Sequence, residues 1–340
     1  MKIAIIASPN IPVPPDQYGG IERIIDMLIQ KLIKKGHDIT LFAHPDSKVS
    51  CNLIPYQESK TYTFTDFIKI NLLTLKCRKF DLVHTFGRMN NIALLMPRNT
   101  VKIVSYQLPP TVSQVKKAVL LAKKKSLYFS ACSQYIANQI NSFSDVTTIY
   151  NGVDSNEYQF SPVTDDSAPL VFLGRIQSDK GTHIAIEVAK RTKNKLIIAG
   201  NIPNEQLHID YFNLQVKPHL DNQDITYIGP VNNKEKNILL GNAKAFLMPV
   251  MWDEPFGIVM TEALACGTPV IGFKRGAIPE VVINGYNGFV CDDVDEMVTA
   301  INKINNIRRG NCRKILEEKF SATVIADQYE RLYKRALKIG

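Results

Sequence analysis

Glu254 and Glu262 bracket an apolar turn in Met251–Ile271, MWDEPFGIVMTEALACGTPVI, with seven residues between them. Ionised carboxylates accept hydrogen bonds strongly, so such a pair suits a ligand rich in hydroxyl donors. Pro255 favours a helix start and Gly267 a helix end, which predicts a helix from about Gly257 to Ala265. Glu254 then stands in the loop before it and Glu262 lies about two turns along it. Both would face one elongated ligand, as would the backbone N–H groups of Phe256, Gly257, Ile258 and Val259. Carboxylate pairs also cleave glycosidic bonds, but there they oppose each other across one bond. Two carboxylates on one helical segment do not easily do that. The spacing alone equally admits two solvated surface residues.

A second constellation is LGRIQSDKG. Arg175 follows a predicted strand, and Lys180 comes five residues later, just before Gly181 and a helix. Two cations over a strand–loop–helix corner, beside free helix N–H groups, suit a phosphate or diphosphate. Two solvated cations are the alternative. In PPDQYGGIER, Gly19 and Gly20 open a helix after a strand and loop, where a backbone can approach an anion closely. An ordinary turn fits the same residues, which match neither Gly-x-Gly-x-x-Gly nor a P-loop.

The elements that must position these groups repeat. Lys2–Ala7 reads as a strand, Ser8–Gly20 as a loop, and Ile21, Ile24, Ile25, Leu28, Ile29 and Leu32 fall at helical spacing before a strand at His37–Ala43. FDLVHTF, VKIVSYQ, LYFSACS and VTTIYNGV continue as strands, with a helix at Gln134–Ser142. The pattern restarts at PLVFLGR, then the helix HIAIEVAKR and the strands KLIIAG, ITYIGPV and KAFLMPV. This predicts an α/β protein of two doubly wound, Rossmann-like domains facing a central cleft. The expected boundaries are 1–155, a polar linker at 156–169, a second domain at 170–319 and a helix at 320–340 packing on either domain.

The totals bound the class. With 340 residues, 45% hydrophobic and 21% charged, the chain can build two real cores. Six scattered cysteines form no Cys-x-x-Cys pair, which argues against a zinc cluster or a disulfide framework and for a reducing, cytoplasmic setting. The first ten residues are too short an apolar run for a signal peptide, and no transmembrane stretch is expected. The formal charge of +9 fits nucleic acid, an anionic membrane or an anionic small substrate. Aromatics do not interleave with the basic patches on a known nucleic-acid module, so nucleic acid is not expected.

The stretch EPFGIVMTEALACGTPVIGFKRGAIPEVVINGYNGFV is far more specific than its spacing. It resembles the retaining glycosyltransferases of family four, which have the GT-B fold. GRIQSDKG resembles that family's diphosphate motif, YNGVD (Tyr150–Asp154) its interdomain motif and YGGIE its N-terminal glycine loop. The resemblance is strong over about 170–292 and continuous but weaker over 1–155. It implies that Arg175 and Lys180 bind the donor diphosphate, that Glu254 binds the sugar hydroxyls with help from the Phe256–Val259 backbone, and that Glu262 holds the ribose. Gly19 and Gly20 would face the diphosphate from the other domain. No metal and no cofactor is implied. The donor would be a nucleoside-diphosphate-sugar, with UDP-sugar the first expectation and GDP- and ADP-sugars open.

The chain departs from the family in one strand. Relatives carry His-x-His after the strand that here reads DLVHTFGR, and this chain has His84 but Phe86. His84 either takes over the sugar-contacting role or is a satisfied histidine at a strand end. Where relatives carry a later histidine, SYQLPP has Gln107; Gln107 and Arg88 are assigned to the acceptor. The expected activity is transfer of a hexose-type sugar to a hydroxyl acceptor in glycoconjugate or lipopolysaccharide-type biosynthesis. The alternatives are a non-catalytic sugar-nucleotide-binding protein and a GT-B epimerase. Lysine-rich stretches at 113–128 and 67–80 are compatible with peripheral contact at the inner face of an anionic membrane, or with solvated helix faces.

Overall fold

A computed structural model describes residues 1–15, 19–56 and 64–339. The chain forms two units, Met1–Asn151 with Ala322–Gly340, and Gly152–Ser321. In the first, β1 (Lys2–Ile6), β2 (Asp38–Ala43), β3 (Asn52–Pro55), β4 (Leu82–Thr85), β5 (Val101–Tyr106), β6 (Leu127–Ala131) and β7 (Val146–Thr148) form one sheet in the order β3-β2-β1-β4-β5-β6-β7. Every pairing is parallel, from Lys2 opposite Asp38 on one side of β1 to Ile3 opposite Leu82 on the other. Parallel strands need crossovers, and helices on both faces explain why Ile3–Ile6 is a continuous buried apolar run rather than an alternating one. The strand order reverses between β1 and β4, which makes their carboxyl ends the crevice of this unit.

The helix Gly20–Lys34 follows the expected periodicity, burying Ile24, Ile25, Leu28, Ile29 and Leu32. The helix Ala322–Leu337 buries Ile325, Tyr329, Leu332 and Tyr333, and packs on Gly20–Lys34. Lys35 ties the two through Asp327 at 2.6 Å and Glu330 at 2.9 Å. The expected helix at Gln134–Ser142 is α-helical only over Gln134–Ala137, capped by Ser133, and continues as turns.

The second unit has β8 (Leu170–Leu173), β9 (Leu196–Ala199), β10 (Ile225–Tyr227), β11 (Ala245–Met248), β12 (Val270–Phe273) and β13 (Gly288–Cys291), parallel in the order β10-β9-β8-β11-β12-β13. Its order reverses between β8 and β11. Residues 156–169, polar in sequence, lie against this unit instead of bridging freely: Ser161 N donates to Cys266 O at 3.0 Å, and the Arg309 guanidinium donates to Ser161 O at 2.7 Å. The buried Arg309 also donates to Gly241 O, Ala243 O and the Thr268 hydroxyl, so it satisfies carbonyls that the strap and two loops leave open. Among the described residues no helix is long and apolar enough to cross a membrane.

Candidate active site

The carboxyl ends of β8 and β11 carry Gly174-Arg175 and Pro249–Glu254. Two glycines bring the flanking loops into register with them. Gly181 has φ +75°, and a Cβ there would sit 2.0 Å from Pro249 O. Gly276 has φ +54°, and a Cβ there would sit 2.2 Å from Glu254 O. Only glycine meets both demands. Met251 N donates to Asp179 O at 2.7 Å and Ala277 N to Glu254 O at 2.8 Å, so the loops carrying Lys180 and Glu254 are tied at their backbones.

Their side chains then meet. Lys180 Nζ donates to Glu254 Oε2 at 2.8 Å, with side-chain exposures of 16% and 11%. Trp252 Nε1 donates to the same oxygen at 3.0 Å, and Lys180 Nζ lies 4.6 Å from the centre of the Trp252 ring. Tryptophan thus holds the ammonium by its face and the carboxylate by its edge. Arg175 follows β8 half-buried in the loop that leads to Lys180. The helix Thr182–Thr192 begins directly after Gly181, and the helix Ile258–Ala265 begins after Gly257, which has φ +79°. Two helix starts, the Lys180–Glu254 pair and the loop that carries Arg175 therefore meet at one corner, a setting for an anionic group carrying hydroxyls.

Glu262 lies four residues into the helix Ile258–Ala265, only 3% exposed. Its Oε1 accepts from Lys236 Nζ and from the Tyr158 hydroxyl at 3.0 Å. The sequence reading placed Glu254 and Glu262 on one ligand; the structure gives each its own lysine. Lys236, Tyr158 and Trp252 were missed by that reading. Lys236 is set by a helix whose start is legible, since Asn232 and Glu235 form a capping box. Nothing local to Lys236 announced a partner 26 residues away. Phe256 is buried and packs edge-on to Phe320, so only its backbone remains for a ligand.

In the first unit Gly20 starts its helix and Gly19 precedes it. A Cβ on Gly19 would sit 2.7 Å from the Pro15 side chain and 3.0 Å from Glu22 Oε2. Glu22 is 4% exposed, and burial raises its pKa. Tyr18 of the glycine motif lies outside the described residues.

Of the two readings open for His84, the geometry fits the satisfied histidine at a strand end. It is fully buried on β4, with Nδ1 2.6 Å from the Tyr333 hydroxyl and Nε2 2.6 Å from Ser105 Oγ. Ser105 Oγ in turn lies 2.5 Å from Ser130 Oγ and 3.2 Å from the Tyr329 hydroxyl. Phe86 covers the imidazole at 4.2 Å between ring centres. Burial lowers the His84 pKa to about 3, so it is neutral. Both nitrogens are engaged, which leaves the imidazole no atom for a sugar. Gln107 is 8% exposed; its Oε1 accepts from Asn151 Nδ2 at 2.7 Å, which orients the amide. Arg88 is exposed beyond the end of β4. All six cysteines are free thiols. Among the described residues no three His, Cys, Asp or Glu side chains form a cluster that could hold a metal ion.

Residues 154–321 match the family described as Glycosyl transferases group 1, and residues 18–157 match Glycosyltransferase Family 4. A putative glycosyltransferase of Bacillus subtilis (strain 168), YtcC, is 25% identical over 99% of this chain and 93% of its own. The crystal structure of AviGT4, a glycosyltransferase involved in avilamycin A biosynthesis, superposes with a TM-score of 0.74 at 23% identity, covering 100% of this chain and 98% of that one. Anabaena Alr3699/HepE, crystallised with UDP-glucose, gives a TM-score of 0.76 at 19% identity over 98% and 100% of the two chains. Two parallel-sheet units of this topology define the GT-B fold, and the matches define a glycosyltransferase. Within that class the chain belongs with the family-four-like enzymes, its two units matched by the group 1 and family 4 domains.

Proposed function

We propose that the protein transfers a hexose-type sugar from a nucleoside-diphosphate-sugar to a hydroxyl acceptor with retention and without a metal, in glycoconjugate or lipopolysaccharide-type biosynthesis. The observation that carries this reading is the Lys180–Glu254 pair at the switch point of the second unit, with Arg175 in the same loop as Lys180. A donor places a dianionic diphosphate and a neutral, hydroxyl-rich ring next to each other. Lys180 then turns from Glu254 to the diphosphate, joined by Arg175. Glu254 Oε1, used by neither Lys180 nor Trp252, accepts from the sugar hydroxyls. Glu262, anchored by Lys236 and Tyr158, is assigned to the ribose, and the Gly257–Val259 backbone supports the sugar. Gly19 and Gly20 are assigned to close backbone approach to the diphosphate, and Gln107 with Arg88 to the acceptor. His84 is left out of the catalytic set, because burial and two hydroxyl partners occupy it.

In the reaction the acceptor oxygen bonds to the anomeric carbon as the bond from that carbon to the diphosphate breaks. The acceptor proton passes to a diphosphate oxygen on the same face, so configuration is retained with no carboxylate nucleophile. Arg175 and Lys180 stabilise the charge that builds on the leaving oxygen, a role in which one lost donor costs about 10²–10³ in rate. The complex of the structurally similar Anabaena protein with UDP-glucose supports UDP as the nucleotide to try first.

The test is a thermal-shift screen against UDP-, GDP- and ADP-sugars in chelator, with Arg175→Ala as control. A native-state ligand raises the melting temperature by mass action. Stabilisation of the wild type by one nucleotide class, absent in Arg175→Ala, is expected. Equal stabilisation of both proteins overturns the assignment of Arg175 to the diphosphate. Donor binding without transfer to any hydroxyl acceptor favours a binding protein over an enzyme.

A further inference from the structure

The charge of the chain is unevenly placed. Residues 82–144 contain eight Arg or Lys and no Asp or Glu. Lys102 is spent internally, its buried ammonium donating to the carbonyls of Leu95, Met96 and Arg98. The five lysines of the next crossover are not: Lys116, Lys117, Lys123, Lys124 and Lys125 are all exposed.

Among them sit apolar side chains that the core does not use. The helix Val112–Leu121 buries Val115 and Ala118. Its last turn then points outward, with Val119 40%, Leu120 85% and Leu121 64% exposed. Phe143, 37% exposed before β7, lies beneath Lys116 Nζ at 4.4 Å. A helix that leaves the carboxyl end of β5 and leads back to β6 ends at the amino edge of the sheet. The patch is therefore on the opposite edge of its unit from the carboxyl ends that carry Gly19–Gly20 and Gln107.

We propose that this edge docks the enzyme on an anionic lipid bilayer, with Leu120 and Leu121 entering the interface and the five lysines meeting the headgroup charge. The composition selects this occupant. A second copy of the chain would bring lysines against lysines. A nucleic acid would satisfy the lysines but gain nothing from leucines, and the patch offers it no open stacking face. Only a surface that is both apolar and anionic uses the two kinds of side chain together. Docking there leaves the carboxyl ends of the strands of that unit uncovered. The inference stands apart from the glycosyl-transfer reading, since it uses none of the site residues.

The experiment is co-sedimentation of the full chain with vesicles of mixed phosphatidylcholine and phosphatidylglycerol, against vesicles of phosphatidylcholine alone. Binding to the mixed vesicles that falls with added salt is expected. Each lysine near such a surface is worth about fivefold in partitioning, so Lys123→Gln/Lys124→Gln/Lys125→Gln lowers binding by about a hundredfold. Leu120→Ser/Leu121→Ser lowers it by about tenfold or more at unchanged charge. Unchanged circular dichroism and melting temperature confirm that both variants fold. No pelleting at low salt, binding indifferent to either variant, dimerisation lost in the leucine variant, or displacement from vesicles by RNA at equal charge would each overturn the proposal.

Discussion

Beside the switch point of the second unit, the chain places a lysine, a tryptophan and a glutamate in mutual contact with their charges partly open to water. Beside that of the first unit, on β4 and its neighbour β5, it places an imidazole closed in by two tyrosines, a serine and a phenylalanine. Both constellations occupy the same place in the same topology. One keeps its ion pair partly open to water, where a ligand can exchange with it. The other keeps its imidazole neutral by burial and satisfies it with two hydroxyls, from Ser105 on β5 and from Tyr333 on the C-terminal helix, while Tyr329 of that helix bonds Ser105. Topology thus chooses where a site can lie, and the partners delivered there decide whether it can react.

The buried Lys236–Glu262 pair offers the largest effect. Glu262→Ala leaves the Lys236 ammonium buried without its carboxylate, and a broken buried pair costs about 3–5 kcal/mol. Urea melts should show that loss, and Glu262→Leu/Lys236→Met should recover most of it. A loss under 1 kcal/mol would mean that Glu262 is more a ligand group than a structural one. Next is Arg175→Ala, expected to lower transfer by about 10²–10³ while the melting temperature stays close to wild type. An unchanged turnover would remove the contrast between the two corners.

The third prediction concerns pH. His84 is neutral when folded, with a pKa of about 3, whereas an unfolded histidine titrates near 6.5. Between these values the unfolded chain binds the extra proton. Stability from this group is full above about pH 6.5 and falls by up to about 1.4 kcal/mol per unit as the pH drops toward 3. His84→Gln should flatten that limb in urea melts repeated from neutral pH downward. A limb as steep as the wild type's would place the acid sensitivity elsewhere.

Much of the fold was legible because its signals are local. Apolar runs such as Ile3–Ile6 and the periodicity of Gly20–Lys34 repeat every few residues. Pro255 and Gly267 announced the helix Ile258–Ala265 to within one residue. Of the candidate site, the charges of Arg175, Lys180, Glu254 and Glu262 near strand and helix ends were legible, because residue type and spacing are written in the chain. The strap at 156–169 was read as a linker because polarity marks both a solvated linker and a segment hydrogen-bonded to exposed carbonyls. His84 was ambiguous for a like reason: a histidine at a strand end is written identically whether water or Tyr333 stands beside it.

By itself, then, the sequence determined the repeated parallel α/β pattern, the positions of the glycine turns and the charge types at the strand ends, all of which follow from spacing along the chain. Tertiary structure alone decided which charges pair. Lys180 met Glu254 across 74 residues, Lys236 met Glu262 across 26, and His84 met Tyr333 across 249. Such contacts depend on where crossovers deliver side chains in space, and a local code carries no record of that distance.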